Sequence, residues 1–240
     1  MNNLYQDLLD KSRHSYFSPY ELENFISQEE INYCVALYNE LPVFEPASHA
    51  RATRKDYLMH SEHDKRMQDL FFPKLQKFFP NKKIVVDGGN FTCWHQPVSI
   101  HTDGYQLDYK SVEDIVKHNH VLGSAILIPL GTDTGQGVPK TVFFDQTLFG
   151  GDYNFKNHNK DAVGLSIDRF TFKDFEYTEE TQQLLSHIPK EKLYGFSVEK
   201  VIPWKYGNAV VWHRAQFHSS STFVGFNNKL HILFFVYDSQ

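Results

Sequence analysis

The stretch Leu230-His231-Ile232-Leu233-Phe234-Phe235-Val236-Tyr237, near the C-terminus, is apolar at nearly every position. Side chains of a strand alternate between its two faces, so a strand with one wet face would alternate apolar and polar residues. This run therefore predicts a strand that is buried on both faces. Such a strand needs protein on each side of its sheet, and helices predicted near the N-terminus are the available cover for the outer face.

Shorter stretches upstream have the β-branched and aromatic composition of strands, and turn residues separate them. They lie at residues 84–86, 90–94, 98–103, 121–130, 141–144, 196–203, 209–212 and 217–223. Short strands with turns between them predict a sandwich or barrel, whereas a doubly wound sheet would alternate strands with helices. We therefore expect a mainly β fold with N-terminal helices.

The first eighty residues predict mainly helical structure. Ser27-Gln28-Glu29-Glu30 has the spacing of a capping box, in which the serine hydroxyl accepts from a free amide and Glu30 reaches back. Apolar residues at helical spacing follow, and Pro42 ends the run. A second candidate helix follows a candidate cap at residues 61–64, and Pro73 interrupts its apolar pattern.

We expect a single domain over residues 1–240, with helical support over 1–82 and a β-barrel core over 83–237. The strand pattern lapses between residues 146 and 193. A connection of that length inside a compact domain is usually either functional or disordered, and its many tyrosines and phenylalanines argue against disorder. We interpret it as a lid or an insertion that shapes the substrate site.

Composition excludes several classes of protein. The formal net charge is −5 and no run of Lys or Arg is present, which disfavours nucleic acid as a partner, although Arg51, Arg54 and Lys55 could form a local basic patch. Cys34 and Cys93 have no paired spacing, as expected in a reducing compartment. With no signal-peptide pattern and no long apolar run, we expect a cytoplasmic protein without a membrane partner.

The segment Ser99-Ile100-His101-Thr102-Asp103-Gly104 is the first half of a candidate metal site. On a strand, His101 and Asp103 would project to the same face and could take adjacent positions on one metal ion. Gly104 would let the chain turn away from a bulky site. Taken alone the signal is weak, because the chain has 13 histidines and a short motif arises by chance.

The second half follows Gly207-Asn208-Ala209-Val210-Val211-Trp212, which predicts a turn and then a buried strand. His218 begins the next predicted strand, and His213 is the alternative distal ligand. We favour His218 because a ligand near the mouth of a barrel should lie at a strand edge facing His101. Two histidines and one carboxylate form a facial triad that leaves three positions open on Fe(II), whereas catalytic zinc usually keeps one for water.

Lys229 is a cation at the start of the last predicted strand. It lies eleven residues after His218 and directly before the apolar run. Burying a lone ammonium is costly unless an anion pairs with it. The C5 carboxylate of 2-oxoglutarate is such an anion, and His231 would lie on the same face and could add a hydrogen bond. The alternatives are a surface salt bridge for Lys229 and a packed core position for His231.

Together these motifs resemble the 2-oxoglutarate/Fe(II) dioxygenases. The His-x-Asp motif at 101–103, the Gly-Asn turn and strand that lead to a distal histidine over 207–218, and the basic Lys229 carry the resemblance. It covers residues 83–237 at the level of pattern. The segment 24–30 is also similar to the opening helix of prolyl-hydroxylase-like and phytanoyl-CoA-hydroxylase-like members.

The resemblance implies a double-stranded β-helix, a jelly-roll or cupin-like barrel covered by helices. It also implies iron on His101, Asp103 and His218, with 2-oxoglutarate held by Lys229 and His231. The implied reaction uses O2 to hydroxylate a C–H bond and releases succinate and CO2, with ascorbate as a candidate stimulant. Lys229 stands where many members have Arg, His231 stands where a small hydroxyl residue is common, and the presence of Asp103 argues against the halogenating branch.

We expect a small metabolite or an amino acid-like substrate, because the long insertion could close over a small ligand. A peptidyl, prolyl-type hydroxylase is the alternative, and a cupin-like protein with a non-redox metal is the second class. The residues that flank the ligands and could contact substrate are Tyr105, Gln106, Trp94, Trp212 and Arg214. Core packing is the competing interpretation for the two tryptophans.

Overall fold

The protein is described by a computed structural model that covers residues 17–43, 52–56, 62–81, 83–103, 123–134, 136–147, 178–193 and 196–238. The helices in these ranges are α1 (Gln28–Glu40), α2 (Glu62–Phe78), α3 (Glu179–Leu185) and a 3-10 turn at Lys190–Lys192. The strands are β1 (Tyr20–Leu22), β2 (Ala52–Asp56), β3 (Ile84–Trp94), β4 (Ser124–Thr132), β5 (Lys140–Thr147), β6 (Val198–Pro203), β7 (Ala209–His213), β8 (Gln216–Ser220) and β9 (Lys229–Asp238). None of the helices in the described ranges is long and apolar enough to cross a membrane.

The strands form two antiparallel sheets. The larger has the order β1-β7-β4-β9-β3-β2, and the smaller has the order β6-β5-β8. An isolated bridge between His101 and His218 adds the segment before Asp103 to the free edge of β8. Along the chain, the core strands therefore pass back and forth between the sheets, which is the pattern of a jelly roll. The prediction of a mainly β structure is confirmed.

The strand β9 lies in the middle of the larger sheet, between β3 and β4. Its residues Ile232, Phe234 and Val236 pack in one buried cluster with residues of α1 and α2. His231 and Leu233, on the alternate positions, line a cavity between the two sheets. Both faces are thus covered by protein, which explains why the strand is apolar at nearly every position.

Two short strands, β1 and β2, lie in the part of the chain whose pattern predicts helix. They pair with β7 and β3 at opposite edges of the larger sheet. A short edge strand is held mainly by backbone hydrogen bonds to one neighbour, so it has no need of an apolar alternation. The described part of the first eighty residues is therefore mainly helical, with two short edge strands that the sequence analysis did not predict.

The capping box at the start of α1 is confirmed. The Ser27 hydroxyl accepts from the Glu30 amide at 3.2 Å, and the Ser27 amide donates to the Glu30 carboxylate at 2.8 Å. Pro73 lies inside α2, which continues past it. The predicted strands at 84–86 and 90–94 form a single strand, β3, with a register shift between Val86 and Gly89.

Most of the connection interpreted as a lid, residues 148–177, lies outside the described residues. Its described end holds α3 and the 3-10 turn, where Leu185 and Leu193 are buried in a cluster with Ile100 and Phe217. This end of the connection therefore packs as core beneath the segment that carries His101. The interpretation of the connection as a lid stays a prediction.

Candidate metal centre and its cavity

The backbone pairing of His101 with His218 brings the candidate ligands together. The amide of each residue donates to the carbonyl of the other, at 3.0 and 2.9 Å, and the ring centroids are 4.2 Å apart. Asp103 is two residues further on, and its Oδ2 lies 3.6 Å from Nε2 of His218. The three side chains each present a ligand atom within 4.8 Å of the others. The structure thus places His101, Asp103 and His218 around one point.

Backbone carbonyls orient both imidazoles. Nδ1 of His101 lies 2.8 Å from the carbonyl oxygen of Ser99, and Nδ1 of His218 lies 3.0 Å from that of Gln216. A carbonyl oxygen accepts and cannot donate, so Nδ1 carries a proton in each ring, which leaves Nε2 as the atom that can bind a metal ion. Burial lowers the pKa of His101 to about 4, which keeps that ring neutral near pH 7. Neutral imidazoles are the form that binds a metal ion.

The Asp103 carboxylate is held by the neighbouring strand β7. Nε1 of Trp212 donates to Oδ2 of Asp103 at 2.8 Å, and the Asp103 amide donates to the carbonyl of Arg214 at 3.0 Å. Asp103 is 8% exposed and Trp212 is 1% exposed. The sequence analysis expected Trp212 either to contact substrate or to pack in the core. In the structure its indole instead forms a hydrogen bond with a candidate metal ligand.

The alternative ligand His213 lies elsewhere. It is buried, its Nδ1 accepts from the Ala215 amide at 3.2 Å, and its ring meets the edge of Phe17. Burial lowers the pKa of His213 to about 4. His213 is adjacent to Trp212 on a strand, so its side chain projects to the opposite face and away from Asp103. The cluster of candidate ligands among the described residues contains His218 instead.

The metal cluster opens on a cavity of about 270 Å³ between the sheets. Its lining includes all three candidate ligands and, from the larger sheet, Trp94, Lys229, His231, Leu233 and Phe235. This volume is close to the lower end of the range of about 300–1,000 Å³ typical of small-molecule sites. Its lining combines aromatic and aliphatic side chains with a larger number of polar and charged ones.

Lys229 is buried in this cavity and is 3% exposed. Its Nζ lies 4.3 Å from the ring centroid of Trp204 and 5.6 Å from that of Phe223. No side chain in the described ranges forms an ion pair or hydrogen bond with it. Burial lowers its pKa to about 7, which is the expected response of an ammonium removed from water without an anion. The interpretation of Lys229 as a surface salt-bridge residue was wrong.

His231 shares the cavity with Lys229. It is 3% exposed, its ring lies edge-on to Trp204 with centroids 5.4 Å apart, and its Nδ1 has no hydrogen-bond partner among the described residues. Burial, followed by the charge of Lys229, lowers the pKa of His231. The ring is therefore neutral and offers one unused polar atom.

The other residues that were expected to contact substrate differ in where they lie relative to the cavity. Trp94 lines the cavity. Arg214 is 4% exposed, its guanidinium carbon lies 4.0 Å from the ring centroid of Phe235, and it is not among the described lining residues. Tyr105 and Gln106 lie outside the described residues.

The structure adds polar lining residues that the sequence analysis did not select: Arg54 from β2 and Asn90 and Thr92 from β3. The Thr92 hydroxyl donates to Oδ1 of Asn90 at 2.6 Å. Arg54 was noted only as part of a basic patch. The segment around it was expected to be helical, so its face could not be inferred from strand alternation.

No protein-family model matches the chain, and no curated protein sequence matches it. Solved structures do share its fold. An oxidoreductase of the 2OG-Fe(II) oxygenase family from Burkholderia pseudomallei is 12% identical, covers 97% of this chain and 89% of its own, and has a TM-score of 0.51. The epimerase SnoN from nogalamycin biosynthesis, in complex with Fe3+, alpha ketoglutarate and nogalamycin RO, is 10% identical, with 99% and 85% coverage and a TM-score of 0.55.

HygX from Streptomyces hygroscopicus, with nickel, 2-oxoglutarate and hygromycin B bound, is 12% identical. The match covers 92% of this chain and 82% of that chain, with a TM-score of 0.50. At such low identity these likenesses establish a shared fold and leave function to be argued from the site. The chain has the fold of these three proteins, and a His-Asp-His cluster faces the cavity between its sheets.

Proposed function

We propose that the protein is an Fe(II)- and 2-oxoglutarate-dependent oxygenase that hydroxylates a C–H bond of a small metabolite or an amino acid-like substrate. One observation carries the proposal: the His101, Asp103 and His218 cluster opens on the same cavity in which Lys229 is buried without an anion. A metal triad and a separate cation together match a co-substrate that chelates metal at one end and carries a carboxylate at the other.

The donor set suits iron. Two imidazoles and one carboxylate form a facial triad, which leaves three positions for a bidentate co-substrate and O2. Bound there, Fe(II) would couple the oxidative decarboxylation of 2-oxoglutarate to oxidation of the substrate. The protein's own part is to hold the ligands in position, through the carbonyls of Ser99 and Gln216 and the indole of Trp212.

Lys229 would bind the C5 carboxylate of 2-oxoglutarate. The Trp204 ring, 4.3 Å from Nζ, favours the charged ammonium through its negative face, and the anion would remove the cost of burying that charge. His231 stands beside it with a free Nδ1 that could donate or accept once the co-substrate is present. The apolar side chains Leu233 and Phe235 would exclude bulk water from the reacting groups.

A small substrate is favoured over a peptide because the cavity is small and lies between two sheets. Two of the structures with this fold hold a small molecule, nogalamycin RO in SnoN and hygromycin B in HygX. We infer hydroxylation within the prolyl-hydroxylase-like or phytanoyl-CoA-hydroxylase-like branch from the sequence pattern, and we propose that residues 1–240 form one catalytic domain.

An anaerobic titration tests the proposal. The metal-free protein is titrated with Fe(II) and then with 2-oxoglutarate, and the visible metal-to-ligand charge-transfer band is recorded. We expect a band that requires both additions, disappears in Asp103→Ala, and needs much more 2-oxoglutarate in Lys229→Ala. Asp69→Ala and Lys77→Ala, at exposed positions of α2, are the matched controls and should behave as wild type.

The cupin-like alternative makes a different prediction. If Fe(II) binds with the expected dependence on Asp103 but no band forms at any concentration of 2-oxoglutarate, the protein is a non-redox metal protein of the cupin type. If the band forms equally well in Lys229→Ala, the metal site stands and the assigned position of the C5 carboxylate is wrong.

A further inference from the structure

A row of polar residues crosses the inner face of the larger sheet. In the register of β2, β3 and β9, Arg54 is opposite Thr92 and Thr92 is opposite His231. Directly opposite residues of antiparallel strands project to the same face, with Cβ atoms about 4.5–5.5 Å apart. All three side chains line the cavity that contains the metal cluster.

Arg54 is the second cation of this cavity. It is half-buried, and its guanidinium carbon lies 6.0 Å from the ring centroid of Trp94. Across the described part of the chain it has no ion pair and no hydrogen bond. A guanidinium carries five N–H donors in a planar fork that matches a carboxylate or a phosphate. Beside it stand His231, 3% exposed with Nδ1 unpartnered, and the hydroxyl of Thr92.

The charges of the cavity exceed what one co-substrate would neutralise. Its described lining contains two cations, Arg54 and Lys229, and one carboxylate, Asp103, which belongs to the metal cluster. A molecule of 2-oxoglutarate has two carboxylates, one of which would lie on the metal. The other can pair with Lys229, and Arg54 is then left facing the cavity without an anion.

The two cations stand on different strands of the larger sheet, with β3 between them. Trp94 is opposite Lys229, so Lys229 lies one row of side chains from Arg54 along the strands and two strands away across the sheet. With about 4.8 Å between strands and about 6.7 Å between alternate residues, their Cα atoms are about 12 Å apart. Thr92 and Trp94 of β3 stand between them.

We propose that Arg54 binds an anionic group of the primary substrate, so that the substrate is an organic carboxylate or an organic phosphate. The inference rests on the proposed function and adds the chemical class of the substrate to it. Arg54 would fix the end of the substrate remote from the metal, with Thr92 and His231 as neighbouring hydrogen-bonding groups. Neutral molecules of the same shape would leave the guanidinium unpaired in the cavity and would bind less tightly.

The test uses probes that differ only in the head group. Hexanoate, hexyl phosphate and neutral hexanamide are titrated by calorimetry into protein loaded with Mn(II) in place of Fe(II) and saturated with 2-oxoglutarate. We expect at least one anion to bind the wild-type protein about tenfold or more tightly than the amide, which corresponds to one fully formed charged contact. Comparison of the hexanoate and hexyl phosphate titrations shows whether the site prefers a carboxylate or a phosphate.

Variants assign the effect to Arg54. Arg54→Gln should abolish the preference for the anion, Arg54→Lys should keep part of it, and neither should change the affinity for 2-oxoglutarate more than about twofold. Lys55→Gln is the matched control. It removes a cation from the next position of β2, where Nζ donates to the carbonyl of Tyr38 at 2.6 Å and does not line the cavity. It should keep the preference for the anion.

Several outcomes would overturn the inference. These are equal binding of amide and anions to the wild type, binding of no anion, or a preference for the anion that survives in Arg54→Gln. A loss of 2-oxoglutarate affinity in Arg54→Gln as large as that in Lys229→Gln would instead assign Arg54 to the co-substrate. If 2-oxoglutarate does not bind the loaded wild type, the proposed function itself fails, which the separate 2-oxoglutarate titration shows directly.

Discussion

The two walls of the cavity differ in how their polar atoms are satisfied. On the side of the smaller sheet, the imidazoles of His101 and His218 donate to carbonyls and Asp103 accepts from Trp212 before any ligand arrives. On the side of the larger sheet, Lys229 and Arg54 have no anion among the described residues. The polar groups of the first wall are already held in position for a metal ion. The two cations of the second wall remain available to pair with a carboxylate or phosphate of a ligand.

This difference has opposite energetic consequences. A satisfied hydrogen-bond network stabilises the fold and holds the metal ligands in one geometry. A buried cation without an anion destabilises the unliganded fold, and that cost is recovered when the anion binds. Substitutions on the two walls should therefore change stability in opposite directions while both impair ligand binding.

The largest expected effect is on the metal wall. His218→Ala removes one of three donors, and the affinity for Fe(II) should fall by more than about 100-fold, since even partners of metal ligands contribute about 10–100-fold. Anaerobic metal titration measures it. His187→Ala is the control, because His187 contacts the carbonyl of Val98 and is not in the ligand cluster. An unchanged affinity in His218→Ala would remove this residue from the metal site.

The next effect concerns the indole that orients Asp103. Trp212→Phe keeps most of the packing but deletes the 2.8 Å hydrogen bond to Oδ2, so the affinity for Fe(II) should fall by about tenfold or more. The same titration detects it. Trp204→Phe, in the same cavity but without a bond to Asp103, should leave metal affinity within about twofold. Equal losses in both variants would point to general packing damage.

The third prediction concerns pH. The pKa of Lys229 is lowered to about 7 by burial, so above pH 7 the unliganded ammonium loses its proton and with it the attraction for the C5 carboxylate. The affinity for 2-oxoglutarate should fall about eightfold from pH 7.5 to pH 8.5, because the protonated fraction of Lys229 falls by that factor. Titrations at both pH values measure it. In Lys229→Arg, which stays charged, the affinity should not vary over this range.

The smallest effect is on stability. The pKa of Lys229 is about 7 when folded and 10.5 ordinarily, so the unfolded chain binds the extra proton between those values and stability rises with pH. The free-energy cost of burying the Lys229 charge has its full value below pH 7, where the folded protein is protonated at this residue. Lys229→Met should therefore stabilise the ligand-free protein, by about 1–2 kcal/mol at pH 6 and by less at pH 9.5. Urea unfolding at both pH values measures it, and destabilisation at pH 6 would mean that Lys229 already has an anionic partner.

Much of the metal wall could be predicted because its signals are local. His101 and Asp103 are two residues apart on an extended segment, and the turn that precedes His218 is visible in the glycine and asparagine before an apolar strand. The capping box of α1 is likewise complete within four residues. Each of these patterns lies within one element, so its periodicity is enough to orient the side chains.

The opposite wall was decided by pairing between distant segments. Arg54 faces the cavity because β2 pairs with β3 in a register that sets it opposite Thr92, and nothing within residues 52–56 reveals that partner. Trp212 contacts Asp103, 109 residues earlier in the chain, because the end of β7 lies beside the His101 segment. Sequence alone determined the candidate ligands and the buried strand, since strand alternation acts within one segment. Tertiary structure decided which charges share the cavity with them, since the register between strands is set by contacts far apart in the chain.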